Sequence, residues 1–324
     1  MNIIKSTITA YSLGDQGINA GEILQHKFGS HLKNVSNNGI DFTCLPGENR
    51  DGVAINVNKD VLATLKHVDE VNWQTNRLLP LGPYNQAVAL VLSNGKSLTT
   101  YHENCGLYEY GTPKKIIEEY SYKTKACERA IAGGTGVCDD FAKVSAALLA
   151  SKDLAQPVSI AYAKVTKNGK YHTFSIVGDP RVSGDVVVSD PWVIYPSAHL
   201  LSQNTLVNVQ EVGISFTYPP HAQLENSQIF DFDPQKEFKV QTGRNKNISI
   251  MQLNAELASA NGRYGFKDVW HITQSNNIEA AYVNSTDTHV SRYPIHYLNN
   301  VKQAIDYIDN ESIQNGTFIN KFGL

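Results

Sequence analysis

A cysteine, a histidine and an aspartate follow one another along this chain in the order and surroundings that acyl-transfer chemistry needs. Cys138 lies in Gly133-Gly134-Thr135-Gly136-Val137-Cys138-Asp139-Asp140-Phe141-Ala142, where a glycine-rich turn runs into an apolar helix. A thiol in a first helical turn faces backbone N–H groups that lack intrahelical partners. It also faces the positive end of the helix dipole, and both favour the thiolate. Downstream, Tyr171-His172-Thr173-Phe174 offers a base and Ser189-Asp190-Pro191-Trp192 a carboxylate to orient it. In the expected chemistry Cys138 attacks an acyl carbon, His172 accepts or shares the thiol proton, and Asp190 holds the imidazole tautomer. The backbone N–H of Cys138 is one donor for the oxyanion. Trp73 and Gln74 carry side-chain donors, but nothing in the sequence places them at the site.

Three elements must position these groups. A helix from Val137 or Cys138 to about Ser151 has Cys138, Phe141, Ala142, Ser145, Leu148 and Leu149 along one stripe, so the sulfur is expected to point inward. It is preceded by a helix capped at Thr112-Pro113, with Ile116, Ile117, Tyr120, Cys127, Ala130 and Ile131 on its buried face, ended by Gly133-Gly134. Strands follow at Val158 to Thr166, Tyr171 to Val177 and Asp185 to Ser189. Lys167-Asn168-Gly169-Lys170 forms a hairpin turn between the first two. If Gly178 faces Gly184, paired positions sum to 362, and His172 lies directly opposite Asp190 on one face of the sheet. A slip of one residue would spoil that alignment. The cysteine-bearing helix then needs to lay its N-terminus against that face.

Each of these residues also has a plainer role. Cys138 could be a small core residue, His172 a histidine beside a turn, and Asp190-Pro191 the end of a strand. Order and spacing favour the catalytic role for all three. Cys127 reads as core, Cys44 and Cys105 have no local context, and Trp192 reads as the rim of the site, with Trp73 and Trp270 as core. Trp270-His271-Ile272-Thr273 reads as a strand with His271 at the surface. Asp179 and Asp185 are rivals for the orienting role at the far end of the hairpin. Asp139 and Asp140 complement the helix dipole, but either would oppose a nearby thiolate; they are expected to point away or to pair with a basic side chain. A metal site from Cys138, Asp139, Asp140 and His172 matches no common ligand spacing, and no cofactor is implied.

The rest of the chain sets bounds. Its 324 residues, 41% hydrophobic, suffice for one large or two ordinary domains. With 28 basic and 31 acidic residues the net charge is −3, which argues against nucleic acid or a membrane surface as partner. No secretory signal and no membrane-length apolar run is visible. Four cysteines without a CxxC pair argue against a zinc knuckle or a disulfide framework. Ala87 to Leu92 and Ser97 to Tyr101 flank Asn94-Gly95, a hairpin signature. Asp60 to Leu65 reads equally as a short helix or a strand end. A late helix is expected over Pro294 to Asp309, with Ile295, Leu298, Val301, Ile305 and Ile308 on one face. The chain divides into a mixed segment over 1–110, a core over 111–220, and a C-terminal extension or small domain over 221–324.

Over roughly residues 112 to 200 the chain resembles the transglutaminase-like branch of the papain-type cysteine enzymes. The Gly-x-Cys-acidic-acidic-aromatic-Ala helix start, the strand-borne histidine and the strand-end Asp-Pro-Trp carry the likeness. Separations of 34 residues from Cys138 to His172 and 18 from His172 to Asp190 suit it. The resemblance implies an α+β fold with the cysteine-bearing helix packed on an antiparallel sheet, Cys138 as nucleophile, His172 as base and Asp190 as orienter. It implies amide-acyl chemistry on a protein substrate through a thioester, by deamidation or transglutamination of glutamine. A papain-like thiol protease or a catalytically inactive binding module of the same fold are the alternatives. The superfamily includes secreted effectors of pathogenic bacteria, which the unusual flanks resemble; that implies a host protein as substrate and either a cytoplasmic location or export without a cleavable signal. Cross-linking members use an upstream tryptophan for the oxyanion, a residue without an assigned equivalent here.

Overall fold

The computed structural model describes residues 35–37, 40–43, 53–93, 95–98, 100–101, 127, 130–131, 133–166, 169–182, 184–224 and 280–315. They fall into two compact units interleaved along the chain. The first takes its residues from Met1–Thr75, Val144–Leu224 and Gln274–Leu298, the second from Asn76–Lys143, Glu225–Thr273 and Asn299–Leu324. The architecture mixes helices with a mainly antiparallel sheet, the α+β class. The helix expected from Thr112, Cys44, Cys105, Trp270 and His271 lie outside the described residues, except that Cys127, Ala130 and Ile131 are helical and buried.

In the first unit, β1 (Val35–Asn37), β2 (Ile40–Thr43) and β3 (Val53–Asn56) lead into helix α1 (Lys59–Leu78), whose residues up to Thr75 belong to this unit. Asn58 starts α1 by accepting the N–H of Val61 on its side-chain oxygen at 2.8 Å. Val61, Leu62, Leu65, Val68, Val71, Asn72 and Thr75 form its buried stripe. Asp60 to Leu65, undecided in sequence, is therefore helical.

The central sheet of this unit has the order β10-β6-β7-β8-β9, with β6 at Val158–Lys164, β7 at Tyr171–Val177, β8 at Val187–Ser189, β9 at His199–Leu200 and β10 at Gly213–Tyr218. All its pairings are antiparallel. Gly169, at φ +68°, makes the left-handed turn that returns β6 into β7, with its N–H on the carbonyl of Val165. The turn between β7 and β8 is longer than the sequence suggests. Ser175↔Ser189, Ile176↔Val188 and Val177↔Val187 pair, so positions sum to 364 and Gly178 comes opposite Val186. His172 is thus not directly opposite Asp190. The error is two residues, an even number, so the face is preserved.

The two faces of β7 have different neighbours. Ser175 meets Ser145 through a hydroxyl pair at 2.7 Å, and Ser189, its cross-strand partner, donates to Asn72 Oδ1 of α1 at 2.7 Å. Helices thus pack against the Ser175 face. His172, Phe174 and Ile176 alternate to the other face. The cysteine-bearing helix, where it meets the sheet at Ser145, does so on the Ser175 face, opposite to the face of His172.

Smaller ribbons complete this unit. β11 (Ala280–Val283) pairs in parallel with β3 and antiparallel with β12 (Thr288–His289), while β13 (Tyr293–Pro294) pairs with β2. Tyr293 then leads into α2, Ile295–Asn315, whose residues from Asn299 on belong to the second unit and which runs past the Asp309 expected from sequence. Val301 and Ile308 on the expected apolar face are buried.

In the second unit β4 (Gly82–Pro83) and β5 (Thr135–Gly136) form a short parallel ribbon. Ala87–Leu92 is a helix, and residues 96–98 and 100–101 are helical too, so the expected hairpin around Asn94-Gly95 does not form. Gly95 adopts φ +74° but uses it to end a helix, its N–H on the carbonyl of Leu90 at 2.8 Å.

Candidate active site

The ribbon of the second unit delivers the cysteine. Gly134, at φ +63°, stops the preceding helical residues with its N–H on the carbonyl of Ile131 at 3.0 Å. Thr135 then ties the strand to Gly82 by donating its hydroxyl to that residue's carbonyl at 2.7 Å, and Tyr84 N–H reaches Gly136 O at 3.3 Å. One residue later the helix Cys138–Ala150, here α3, begins. Its span agrees with the sequence reading, but it is buried nearly all round rather than along one stripe, with only Cys138, Asp139 and Leu148 half-buried.

The two acidic residues after the cysteine have separate tasks. Asp140 is buried and its Oδ2 accepts the N–H of Val137 at 3.0 Å. This is the reciprocal half of a capping box, an N3 carboxylate returning to the N-cap amide. It satisfies Val137's amide, not that of Cys138. Asp139 pairs with Lys143 one turn along the helix. Cys138 is a free, half-buried thiol at the first helical position, and Cys127 is buried.

The histidine and the aspartate belong to the first unit, and there they meet. His172 Nε2 lies 2.7 Å from Asp190 Oδ2. The contact is diagonal, because β8 ends at Ser189 and Asp190 is the first residue past the ladder. Donation of the Nε2 proton to the carboxylate leaves Nδ1 as the ring nitrogen not engaged by Asp190. The pair is closed to solvent: His172 is 0% and Asp190 1% exposed. Trp192 is buried with its ring 4.7 Å from the imidazole, and Phe174 stacks at 5.9 Å. An apolar enclosure of this kind strengthens the charge-assisted bond.

A second histidine, unnoticed in the sequence, stands near Asp190. His199 Nδ1 donates to the carbonyl of Ser197 at 2.8 Å and Nε2 accepts from Asn204 at 3.1 Å. Burial pushes its pKa down, opposed by the Ser197 bond and the Asp190 charge, which keeps it neutral beside the carboxylate. The register Val188↔His199 is what brings it there, and that register is set by the loop length, which sequence does not reveal.

Asp179 is held by Arg181 through its backbone N–H and a bidentate guanidinium, which depresses its pKa to about 2; it is not the orienter. Trp73 donates its indole N–H to the carbonyl of Arg292 at 3.0 Å, and Gln74 donates to Glu70 at 3.1 Å. Neither side chain is turned to oxyanion duty. Among the described residues no cluster of three His, Cys, Asp or Glu could hold a metal, and no helix is long and apolar enough to cross a membrane. No protein-family model matches the chain, and no curated protein or solved structure matches it.

Proposed function

We propose that the protein is a cysteine-nucleophile acyl-transfer enzyme acting on protein amide groups, with a core of the papain and transglutaminase type. The observation that carries this reading is the buried 2.7 Å bond between His172 of β7 and Asp190, the residue that follows β8. A carboxylate on Nε2 fixes the tautomer that leaves Nδ1 to take a thiol proton. Cys138, at the first position of α3, is the nucleophile. Its sulfur adds to a glutamine carboxamide carbon, and the tetrahedral intermediate expels ammonia, which takes the proton from His172. The thioester left behind is cleaved by water, giving glutamate, or by an amine, giving a cross-link.

The complete burial of His172 and Asp190 favours a second reading, in which the pair is a structural strut and the fold a binding module. One experiment separates them. In the first reading iodoacetamide alkylates Cys138 at least about tenfold faster than Cys127 at neutral pH, and His172→Ala removes that advantage. Intact mass of candidate substrate proteins then shows deamidation, cross-linking or cleavage, each absent with Cys138→Ala. Alkylation that is slow and indifferent to His172 overturns the acyl-transfer reading and favours the structural strut instead.

A further inference from the structure

We infer that Asp69 and Asn72 of α1 are positioning residues that grip both ends of the loop carrying Asp190 and so hold the ring of His172. The inference rests on the reading of His172 and Asp190 as base and orienter. Because β8 leaves the sheet ladder after Ser189, no strand pairing sets the place of Asp190. What sets it is whatever fixes the loop between Ser189 and β9. At the near end, Ser189 donates its hydroxyl to Asn72 Oδ1 at 2.7 Å, and both residues are fully buried. At the far end, the N–H of Ala198 is shared between Ser291 Oγ at 3.1 Å and Asp69 Oδ1 at 3.4 Å. Ser291 in turn donates to Asp69 Oδ1 at 2.8 Å.

Asp69 and Asn72 are three residues apart, one above the other on a single helix face. The helix thus presents two polar side chains, a turn apart, to the two ends of one loop. Two further bonds hold the stretch between and beyond: Tyr297 donates its hydroxyl to the carbonyl of Ile194, and Leu200 N–H reaches the hydroxyl of Tyr282 at 3.0 Å. Tyr297 is itself seated edge-on against Trp73 of the same helix.

Retaining a carboxylate here is costly. Burial raises the pKa of Asp69 to about 6, against the hydrogen bonds of Ser291, Ala198 and Arg292 and the Arg292 charge. His289 Nε2 is 3.9 Å away, too far for a hydrogen bond, with the Lys66–Asp287 ion pair in the same field. An apolar side chain would fill this position at lower cost. What Asp69 supplies instead is direction, since hydrogen bonds to its carboxylate fix where Ala198 and Ser291 stand.

The test reads the His172 to Asp190 bond itself. Proton NMR is used to follow the imidazole N–H that Asp190 accepts, assigned by its loss in His172→Gln, and to time its exchange with solvent. Asp69→Ala and Asn72→Ala are expected to exchange this proton at least about tenfold faster than the parent while unfolding as cooperatively. Asp69→Asn, which keeps the acceptor, is expected to return exchange to within about threefold of the parent. If Asp69→Ala does not fold, Ser291→Ala and Asn72→Ala carry the same expectation. Parent-like exchange in the variants that fold overturns the inference. This readout does not involve the thiol, so it is separate from the failure of the acyl-transfer reading, which shows as Cys138 alkylation indifferent to His172.

Discussion

At Gly136 the absence of a side chain is what lets Asp140 cap the helix that carries the cysteine. A Cβ added there would lie 2.6 Å from Asp140 Cβ and 2.8 Å from its Oδ2. Gly136→Ala must therefore move the carboxylate off the N–H of Val137, at a cost of about 1–3 kcal/mol. We expect a lower thermal midpoint and a loss of any enhanced alkylation at Cys138. Asp140→Asn, which retains the accepting oxygen, should lose much less of both. A Gly136→Ala protein with the parent's midpoint and alkylation rate would show that the cap does not position the helix start. The sequence pointed to Cys138 and to its place at the helix start, because glycine followed by an apolar run is a local signal. It did not separate the tasks of Asp139 and Asp140, although an acidic residue three positions after a helix start is a capping pattern that could have been read. The hydrogen bond of Trp73 is not legible in sequence, because its partner, the carbonyl of Arg292, is 219 residues away.

Between elements, α3 meets the sheet through a buried contact, Ser145 to Ser175 at 2.7 Å. Removing either hydroxyl withdraws this bond from a partner fully buried against the sheet, so Ser145→Ala and Ser175→Ala should each cost about 1–2 kcal/mol. The double variant should cost less than the sum, since the second substitution removes a group the first had already deprived of this bond. Chemical denaturation of the four proteins checks this, and strict additivity would mean that the two hydroxyls do not interact. This element-level geometry was partly legible. Tyr171–Val177 and Cys138–Ala150 follow from alternation and from helical spacing within a few residues. The β7–β8 register was not legible, because it depends on how many residues the turn after Gly178 absorbs. The even size of the error left His172 and Asp190 on one face, which is why their contact was nonetheless anticipated. Ala87–Leu92 reads as a strand and folds as a helix for a different reason. A short all-apolar run has no period to distinguish strand from helix, and a left-handed Gly95 serves a helix end as well as it serves a hairpin.

For the molecule as a whole, the half-buried Asp69 and His289 make a pH dependence whose two parts oppose each other. Burial raises the carboxyl of Asp69 from 3.8 to about 6. Folding therefore tightens its proton, and the stability it contributes is fullest below about 3.8 and is lost as the pH rises through about 6. Burial, aided by the Lys66 and Arg292 charges and opposed by Asp287, lowers His289 from 6.5 to about 4. Its contribution is full above 6.5 and is lost as the pH falls through about 4. Between about pH 4 and 6 the folded protein holds one proton more than the unfolded chain at Asp69 and one fewer at His289. The two slopes, each about 1 kcal/mol per pH unit, cancel there, so this pair leaves the parent's stability flat over that window. Asp69→Asn exposes the histidine's slope, and stability should climb with pH from about 4 to 6. His289→Gln exposes the carboxyl's slope, and stability should fall over the same interval. Denaturant midpoints taken across that range for the parent and both variants decide it, because the two variants must diverge from the parent with opposite sign. Curves parallel to the parent in both would mean that neither group changes its proton affinity on folding.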